Sequence, residues 1–319
     1  MHRICIRFIV LSYFGAHNPC VNPHIAVKSP VELANPTVPA VDYSTPLAPQ
    51  LPAASSRARV RAEVGRYRLR LAESVEDRDA ACRLRFRVFN IELGEGLESS
   101  YQTGLDTDEF DLFCEHLLVE DKLEENPARR IVGTYRMQSG MTAERNLGYY
   151  SEQEFDFAPY EPLRAGILEL GRASIDRDHR TPEVLTLLWR GIAQYANDMG
   201  LRYLIGCSSL NSKDPAEGWQ MYRQLEHYRV CPEFATHPTA AYACPIEPEA
   251  EAQPTDSSGE AGAQVKVPKL LKTYLAIGAR IAAPPAWDRA FGTIDFLTLL
   301  DLQLLSSAAR NRFLAPLTQ

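Results

Sequence analysis

The residues Glu169-Leu170-Gly171-Arg172, which follow the apolar pair Ile167-Leu168, form the most informative stretch of this chain. Side chains alternate along a β-strand, so residues three apart point to opposite faces unless a bulge shifts the register. Gly171 permits such a bulge, and we predict that it brings Glu169 and Arg172 to one side. A strand broken in this way frees backbone N–H groups that could hold an oxyanion. The stretch therefore suits acyl transfer.

Composition bounds the class of protein. The chain has 319 residues, of which 45% are hydrophobic and 24% charged, as in soluble globular proteins. A formal charge of −7 and a pI near 5.6 argue against a nucleic-acid partner. The seven cysteines contain no C-x-x-C pair, and no His or Cys pair has metal-ligand spacing, so we predict no metal. These features favour a protein of the reducing cytoplasm.

The chain divides into two parts by composition. Residues 1–65 are rich in Pro, Ala, Ser and Val, and we predict that they are disordered or belong to a mis-started reading frame. Residues 66–319 are predicted to form one domain with a mobile loop at 246–266. No stretch reaches the length of a membrane-spanning helix, so any contact with the inner membrane would be peripheral.

Hydrophobic periodicity predicts an α/β fold with a mixed (α+β) sheet and helices on both of its faces. The helix after Thr181 is the clearest element, because Val184, Leu188 and Ile192 recur at helical spacing. Further helices are predicted over residues 77–89 and 215–227. Strands are predicted over residues 67–71, 116–120, 131–137, 167–175, 203–206, 236–243 and 271–281, with an apolar closing segment at 294–305.

A charged turn precedes the helix that starts after Thr181. Thr181 can cap this helix, and the free N–H groups of a helix start attract phosphate. We therefore predict that Arg177, Arg180 and Thr181 hold a phosphate group. The alternative is a solvated charged turn, because charges are common at helix ends.

Five segments resemble the acyl-carrier-dependent branch of the GNAT acyltransferases, which includes ornithine-lipid synthases, hemolysin-like acyltransferases and, more distantly, acyl-homoserine-lactone synthases. The closing runs at 268–275, 285–288 and 295–296 resemble the ornithine group. The five segments are Arg85-Phe86-Arg87-Val88-Phe89, residues 106–111 with His116-Leu117-Leu118-Val119, Val132-Gly133-Thr134-Tyr135-Arg136-Met137, Glu169-Leu170-Gly171-Arg172, and His179-Arg180.

The resemblance implies a GNAT fold whose central sheet splays between the strands at 167 and 203. The phosphopantetheine arm of acyl carrier protein would enter this split. Relatives that use coenzyme A usually have a glycine-rich pyrophosphate loop, whereas residues 177–182 contain no glycine. The resemblance therefore favours acyl carrier protein as donor, with no bound cofactor.

Glu169 is the predicted general base for the attacking amine, with Arg136 and Arg172 beside it. Asp106 or Asp108, acting through a water, is an alternative base. In a purely structural interpretation, Glu169 instead forms an ion pair with Arg136 or Arg172. The resemblance also implies that Tyr222 donates a proton to the leaving thiolate, although its spacing with Trp219 and Leu225 favours a core tyrosine.

Asp106, Asp108 and Asp111 concentrate negative charge and are predicted to attract a cationic acceptor such as ornithine. Arg85, together with the two arginines beside Glu169, would balance these carboxylates and hold the carboxylate of the acceptor. The alternative is a solvated acidic loop with helix caps.

These inferences predict an N-acyltransferase that moves a long-chain 3-hydroxyacyl group from acyl carrier protein to the α-amine of an amino acid. Ornithine is the preferred acceptor, and the product would be lyso-ornithine lipid. The alternatives are a synthase of acyl-homoserine lactones or other N-acyl amino acids, and a catalytically silent lipid-binding module.

Overall fold

The computed structural model describes residue 58 and residues 60–94, 96–245, 265–305 and 307–313. Within these residues, nine strands form one mixed, open sheet in the order β1-β2-β3-β4-β5-β6-β9-β7, with β8 beside β9. Every pairing is antiparallel except that of β5 with β6. The strands are β1 (Arg61–Val64), β2 (Tyr67–Leu71), β3 (Glu115–Asp121), β4 (Ile131–Ser139), β5 (Ile167–Ile175), β6 (Tyr203–Leu210), β7 (Arg280–Ile281), β8 (Ala286–Asp288) and β9 (Thr293–Asp301).

Six α-helices accompany the sheet in the same residues, which confirms the predicted α/β class. They are α1 (Val75–Phe86), α2 (Gly140–Arg145), α3 (Pro182–Asp198), α4 (Pro215–Gln224), α5 (Lys269–Ile277) and α6 (Ser307–Phe313). A π-helix over Arg87–Leu93 follows α1. The 3-10 helices are Glu98–Gln102, Glu109–Leu112, Tyr150–Gln153, Ala158–Gly166, Arg177–His179, Glu226–Tyr228, Pro232–Phe234 and Leu302–Leu304.

The long helix α3 forms as its sequence predicts. Thr181 caps it by accepting a hydrogen bond from the backbone N–H of Val184, and Pro182 occupies its first turn. Its apolar stripe packs on the sheet, where Gly191 allows a close approach: an added Cβ there would lie 2.9 Å from a Leu117 methyl group. The apolar stripe and its cap therefore fix α3 over one side of the sheet.

The predicted bulge lies in β5. Between the pairs Thr134↔Ser174 and Arg136↔Gly171, β5 advances three residues while β4 advances two, so β5 carries one extra residue. Arg172, with a φ of 50°, is the residue in left-handed conformation, whereas the sequence had pointed to Gly171. Leu168 and Leu170 before the bulge pack in the same core cluster as Ala173 and Ile175 after it. The bulge thus reverses the side-chain alternation, as predicted.

The sheet splays between β5 and β6. The two strands pair only from Ile167↔Tyr203 to Glu169↔Ile205, although both continue beyond that point. Gly206 marks the branching point, because an added Cβ there would lie 2.2 Å from the carbonyl oxygen of Leu170. This confirms the splayed sheet of the GNAT fold.

Three predicted boundaries differ from the structure. Strand β1 lies inside residues 1–65, so the domain includes residues before its predicted start at residue 66, because β1 pairs with β2 as a hairpin. Residues 271–281 were predicted as a strand, but most of them belong to helix α5, which buries Leu271 and Leu275 one turn apart. Residues 236–243 form turns and isolated bridges instead of a strand. Residues 1–57 and most of the predicted mobile loop, 246–264, lie outside the described residues.

A search of the described helices finds none that is long and apolar enough to cross a membrane.

Candidate functional site

A cavity of about 270 Å³ passes through the split between β5 and β6. Different core clusters cover the two sides of the sheet: one contains α3 residues, and the other contains Tyr149 and its neighbours. We call these sides the α3 face and the Tyr149 face. The apolar lining residues on the α3 face include Tyr135, Trp189, Leu204, Tyr274 and Leu300. The polar lining residues include Arg136, Gln138, Ser151, Glu169, Arg172, Cys207, Asp288 and Asp295.

Glu169 lies on the Tyr149 face at the point where β5 leaves β6. One carboxylate oxygen accepts hydrogen bonds from the backbone N–H of Ser151 (2.8 Å) and from its Oγ (2.7 Å). The other accepts from the backbone N–H of Tyr150 at 2.8 Å. Three donors from one turn therefore fix the carboxylate of the predicted base.

Burial raises the pKa of Glu169, although the hydrogen bonds from Ser151 and Tyr150 and the charge of Arg136 oppose this effect. Among the described residues, Glu169 has no ion pair, because Arg136 pairs with Asp108 and Asp111 instead. The structure therefore does not contain the ion pair of Glu169 with Arg136 or Arg172 that the structural alternative predicted. A general base is favoured when its pKa moves toward the operating pH.

Arg85 is completely buried and forms the centre of an ion-pair network. Its Nε donates to Asp106 at 2.8 Å, and its two terminal nitrogens donate to the Asp111 carboxylate at 2.7 and 2.8 Å. Burial opposes ionisation of Asp111, but the charges of Arg85 and Arg136 outweigh it and hold the pKa of Asp111 well below its usual range. Arg85 therefore pairs with both aspartates, while the other oxygen of Asp106 makes no hydrogen bond among the described residues and lies 3.6 Å from Arg172.

This packing corrects the predicted acceptor site. Arg85 and Asp106 have no exposed side-chain surface, and Asp111 has 1%. Asp111 also belongs to a reciprocal capping box with Asp108 at the start of a 3-10 turn. A buried ion pair that loses a partner is strongly destabilising, so these three residues cannot separate to bind an acceptor. Asp111 also accepts a hydrogen bond from Arg136, so the network instead helps to position Arg136 at the cavity.

Arg136 and Arg172 both line the cavity, as predicted, but their surroundings differ. Arg136 donates to Asp108 at 2.6 Å and to Asp111 at 3.3 Å. Arg172 lies 3.6 Å from Asp106 and from Asp108. Among the described residues it makes no hydrogen bond, and its guanidinium stacks 4.4 Å above the Phe291 ring. Arg172 thus keeps donors available to a ligand.

Tyr222 lies away from the cavity. It packs on α4 against Trp219, and the Arg229 guanidinium covers its ring at 4.1 Å. It is not among the lining residues, so its position supports the core alternative and not the proton donor that the resemblance implies.

The predicted phosphate-binding residues surround the start of α3. Thr181 caps the helix, and Arg180 makes a two-bond ion pair with Glu92 at 2.6 and 2.7 Å. Arg177 is the exposed member, with 74% of its side chain accessible and only Asp178 nearby at 3.7 Å. Arg180 would have to exchange Glu92 for phosphate, whereas Arg177 can approach a partner directly.

Several lining residues were missed by the sequence reasoning. Tyr150 and Ser151 come from a turn between β4 and β5 with no motif of its own, and they reach Glu169 through backbone donors. Glu154, Cys207 and Asp295 each place one possible ligand atom within 4.8 Å of the others. They are far apart in sequence, so spacing gave no signal for this group.

Comparisons with known proteins identify the relatives of this chain. Residues 84–190 match the family model of the acetyltransferase (GNAT) domain. The chain is 34% identical over 264 residues to an L-ornithine N(alpha)-acyltransferase of Brucella abortus, with 78% of this chain and 92% of the relative covered. It is 30% identical over 247 residues to an L-ornithine N(alpha)-acyltransferase of Rhodobacter capsulatus, with 77% and 93% covered. It is also similar to the structure of an N-acyl amino acid synthase from uncultured soil microbes, with 12% identity, a TM-score of 0.44 and coverage of 79% and 97%.

Proposed function

Because this chain belongs to the L-ornithine N(alpha)-acyltransferase family and is an acyltransferase, we propose that it transfers a long-chain 3-hydroxyacyl group from acyl carrier protein to the α-amine of L-ornithine. The product is lyso-ornithine lipid. The observation that carries the proposal is the cavity through the split sheet, which is apolar on the α3 face and presents Glu169 on the Tyr149 face. An acyl chain fits the first face and an amine the second.

The proton chemistry favours the α-amine. With a pKa of about 7.7–8.0, an α-amino group is roughly one-tenth neutral at pH 7, whereas a side-chain ammonium near 10.4 is neutral in only about one part in a few thousand. Only the neutral amine attacks a thioester. Acylation at Nα therefore needs less assistance than acylation at the side chain.

Glu169 accepts the proton of the attacking nitrogen, either directly or through Ser151, whose Oγ already donates to the carboxylate. The N–C bond forms, the C–S bond breaks, and Glu169 then returns its proton to the leaving thiolate. Backbone N–H groups where β5 separates from β6 stabilise the oxyanion of the intermediate. Arg172, which stacks on Phe291 and keeps free donors, binds the carboxylate of the acceptor.

The donor is a carrier protein. The turn before α3 has no glycine, and its cations Arg177 and Arg180 suit a single phosphodiester rather than a pyrophosphate with an adenosine. The carrier binds from the side of Arg177, and the reaction takes place in the cytoplasm or peripherally at the inner membrane, where a lipid product would accumulate.

The experiment combines the purified full chain with 3-hydroxyacyl carrier protein, or with the matching acyl-coenzyme A, and a panel of amino acids. Mass spectrometry of the products identifies the acceptor, and fragmentation distinguishes Nα from Nδ attachment. We expect Nα-acyl ornithine with the carrier-bound donor. Transfer to another amine but not to ornithine would overturn the acceptor, and equal use of acyl-coenzyme A would overturn the donor.

A further inference from the structure

A second acidic group lies on the Tyr149 face, apart from the Arg85 network. It consists of Glu154, Asp288 and Asp295, whose exposed fractions are 1%, 3% and 4%. Asp295 is on β9 opposite Ser209 of β6, and Asp288 ends β8, which pairs with β9 as a hairpin. Glu154 follows the turn whose donors hold Glu169. Tertiary structure alone brings these acids together.

No cation of the protein compensates this group: among the described residues, none of the three acids forms an ion pair. Asp288 uses one oxygen to accept the backbone N–H groups of Ala290 and Phe291, which shapes its turn. Burial, followed by the charges of the other two acids, raises the pKa of Glu154 well above its ordinary value. Burial and the charge of Asp288 also raise the pKa of Asp295, to about 6, although hydrogen bonds with Ser209, Glu154 and Thr293 oppose this shift without supplying a positive charge. Buried carboxylates are expected to be paired, so an uncompensated group needs an explanation.

The group opens into the reaction cavity. Asp288 and Asp295 both line it, as do Ser208 and Ser209. Although Asp295 is almost fully buried, its Oδ1 has no hydrogen-bond partner among the described residues. An unpartnered carboxylate oxygen therefore lies in the wall of the cavity that Glu169 also lines.

The distance from this group to Glu169 is short. Ser151 Oγ donates to Glu169 at 2.7 Å and lies 3.4 Å from Cys207 Sγ, which lies 3.7 Å from a Glu154 oxygen. All of these side chains are on the Tyr149 face, because Glu169 pairs with Ile205 and the face repeats every second residue of β6. Only the side chains of Ser151 and Cys207 thus separate the base from the acids along this path.

We propose that Asp295, with Asp288 and Glu154, binds the side-chain ammonium of the acceptor and so selects a diamino acid. This inference rests on the proposed function. It assigns the side-chain ammonium of the acceptor to these three acids and not to the acids of the Arg85 network, which are already paired with arginines. An ammonium donates three hydrogen bonds and supplies the positive charge that the protein does not provide here. With its carboxylate on Arg172 and its side chain toward Asp295, the acceptor presents its α-nitrogen to Glu169.

The test compares L-ornithine with L-norvaline, which has the same carbon skeleton but no terminal amine, using 3-hydroxyacyl carrier protein as donor. For the unaltered chain we expect kcat/KM to favour ornithine by on the order of 10²-fold, from charged hydrogen bonds. Asp295→Asn keeps the shape and should reduce this preference to within about tenfold by removing the charge, while turnover of norvaline is retained. The matched control is Asp156→Asn, which alters an acid that is 41% exposed and lies two residues after Glu154.

The outcomes separate the two proposals. If the unaltered chain acylates neither ornithine nor norvaline, the proposed function fails. If it prefers ornithine and Asp295→Asn keeps the full preference, the subsite assignment fails while the function stands. Should Asp295→Asn not fold, Asp288→Asn gives the same comparison, because asparagine keeps the oxygen that accepts from Ala290 and Phe291. If a chelator abolishes the preference and Zn²⁺ or Mn²⁺ restores it, the acids hold a metal and the ammonium subsite is overturned.

Discussion

Two buried charged regions adjoin the same cavity and differ in how their charge is balanced. In the first, Arg85, Arg136 and Arg172 face three aspartates at 2.6–3.6 Å, so positive and negative charges match. In the second, Glu154, Asp288 and Asp295 face one another without a cation from the described chain. The first region behaves as scaffold, because its charges satisfy each other. The second lacks a positive charge, which a bound cation would supply.

The largest expected effect comes from unbalancing the first region. Arg85→Met leaves two buried carboxylates without their partner, which costs about 3–5 kcal/mol of the free energy of unfolding. Urea denaturation measures the loss, and Arg83→Met is the control on the same helix because Arg83 is only partly buried. Adding Asp106→Asn and Asp111→Asn should recover part of the stability. An Arg85→Met chain as stable as the parent would show that the network is not scaffold.

Glu169 lies between the two regions, and its substitution tests chemistry without disturbing either. Glu169→Gln should lower turnover by roughly 10² to 10⁴-fold, because an amide cannot accept the proton. The parent should also lose activity as pH falls through the raised pKa of Glu169, since only the ionised carboxylate is a base. Single-turnover acyl transfer measures both effects. Glu152→Gln, which alters a neighbouring acid paired with Arg164, should leave the rate unchanged, and a normal rate in Glu169→Gln would exclude it as the base.

Arg172 belongs to the first region but has hydrogen-bond donors available at the cavity. Its substitution therefore tests whether a residue of the first region also binds the acceptor. Arg172→Met should raise KM for the acceptor by about 10- to 100-fold, because charged hydrogen bonds contribute about 1.5–3 kcal/mol. KM for the carrier-bound donor should not change. Arg172→Lys retains the charge but not the planar fork and should give an intermediate value. An unchanged acceptor KM in Arg172→Met would place Arg172 with the scaffold.

The second region should weaken the folded state where the first strengthens it. The pKa of Asp295 rises from 3.8 to about 6 on folding, so the folded chain binds more protons than the unfolded chain between these values. Stability therefore falls as pH rises through this window. Asp295→Asn should be more stable than the parent at pH 7, by on the order of 2 kcal/mol, with the difference disappearing below pH 4.

Denaturation of both proteins at pH 4 and pH 7 measures this difference. Removing the charge of Asp295 should also lower the raised pKa values of Glu154 and Cys207, which changes the stability of the variant in the same direction. Asp156→Asn serves again as the exposed control. A variant less stable than its parent at pH 7 would mean that the carboxylate is compensated after all.

The smallest effect is expected outside both regions. Tyr222 packs against Trp219 and Arg229 and does not line the cavity. Tyr222→Phe should keep turnover within about twofold, the range of substitutions that remove no specific contact. The assay is the same acyl-transfer measurement, with Tyr150→Phe compared in parallel because Tyr150 does line the cavity. A large loss in Tyr222→Phe would restore the proton-donor role.

The bulge and α3 were predictable from sequence because each depends on local residues. Gly171 between Glu169 and Arg172 signalled a bulge, and the cap at Thr181 with the apolar stripe signalled the helix. Residues 271–281 were misassigned because a short apolar run looks alike in a strand and in a buried helix. Leu271 and Leu275 show the difference only by their spacing of four.

The division of charges could not be predicted, because it depends on burial and on distant partners. The sequence showed Asp106, Asp108 and Asp111 as one acidic segment, but not that Arg85 lies fully buried beneath it. Glu154 and Asp295 are 141 residues apart by their numbers and meet only when β9 pairs with β6. Sequence reasoning therefore brought Glu169, Arg136 and Arg172 to one cavity, whereas it assigned the acceptor cation to acids that are paired with arginines.

The left-handed conformation of Arg172 has a consequence for engineering. It is the one residue other than glycine with positive φ in the described chain, a conformation that costs about 1–3 kcal/mol for such a side chain. Arg172→Gly would relieve this strain but would also remove the guanidinium that faces the carboxylates of Asp106 and Asp108. The gain in backbone freedom and the loss of charge balance oppose each other, so a screen for heat-resistant variants should not enrich glycine at position 172.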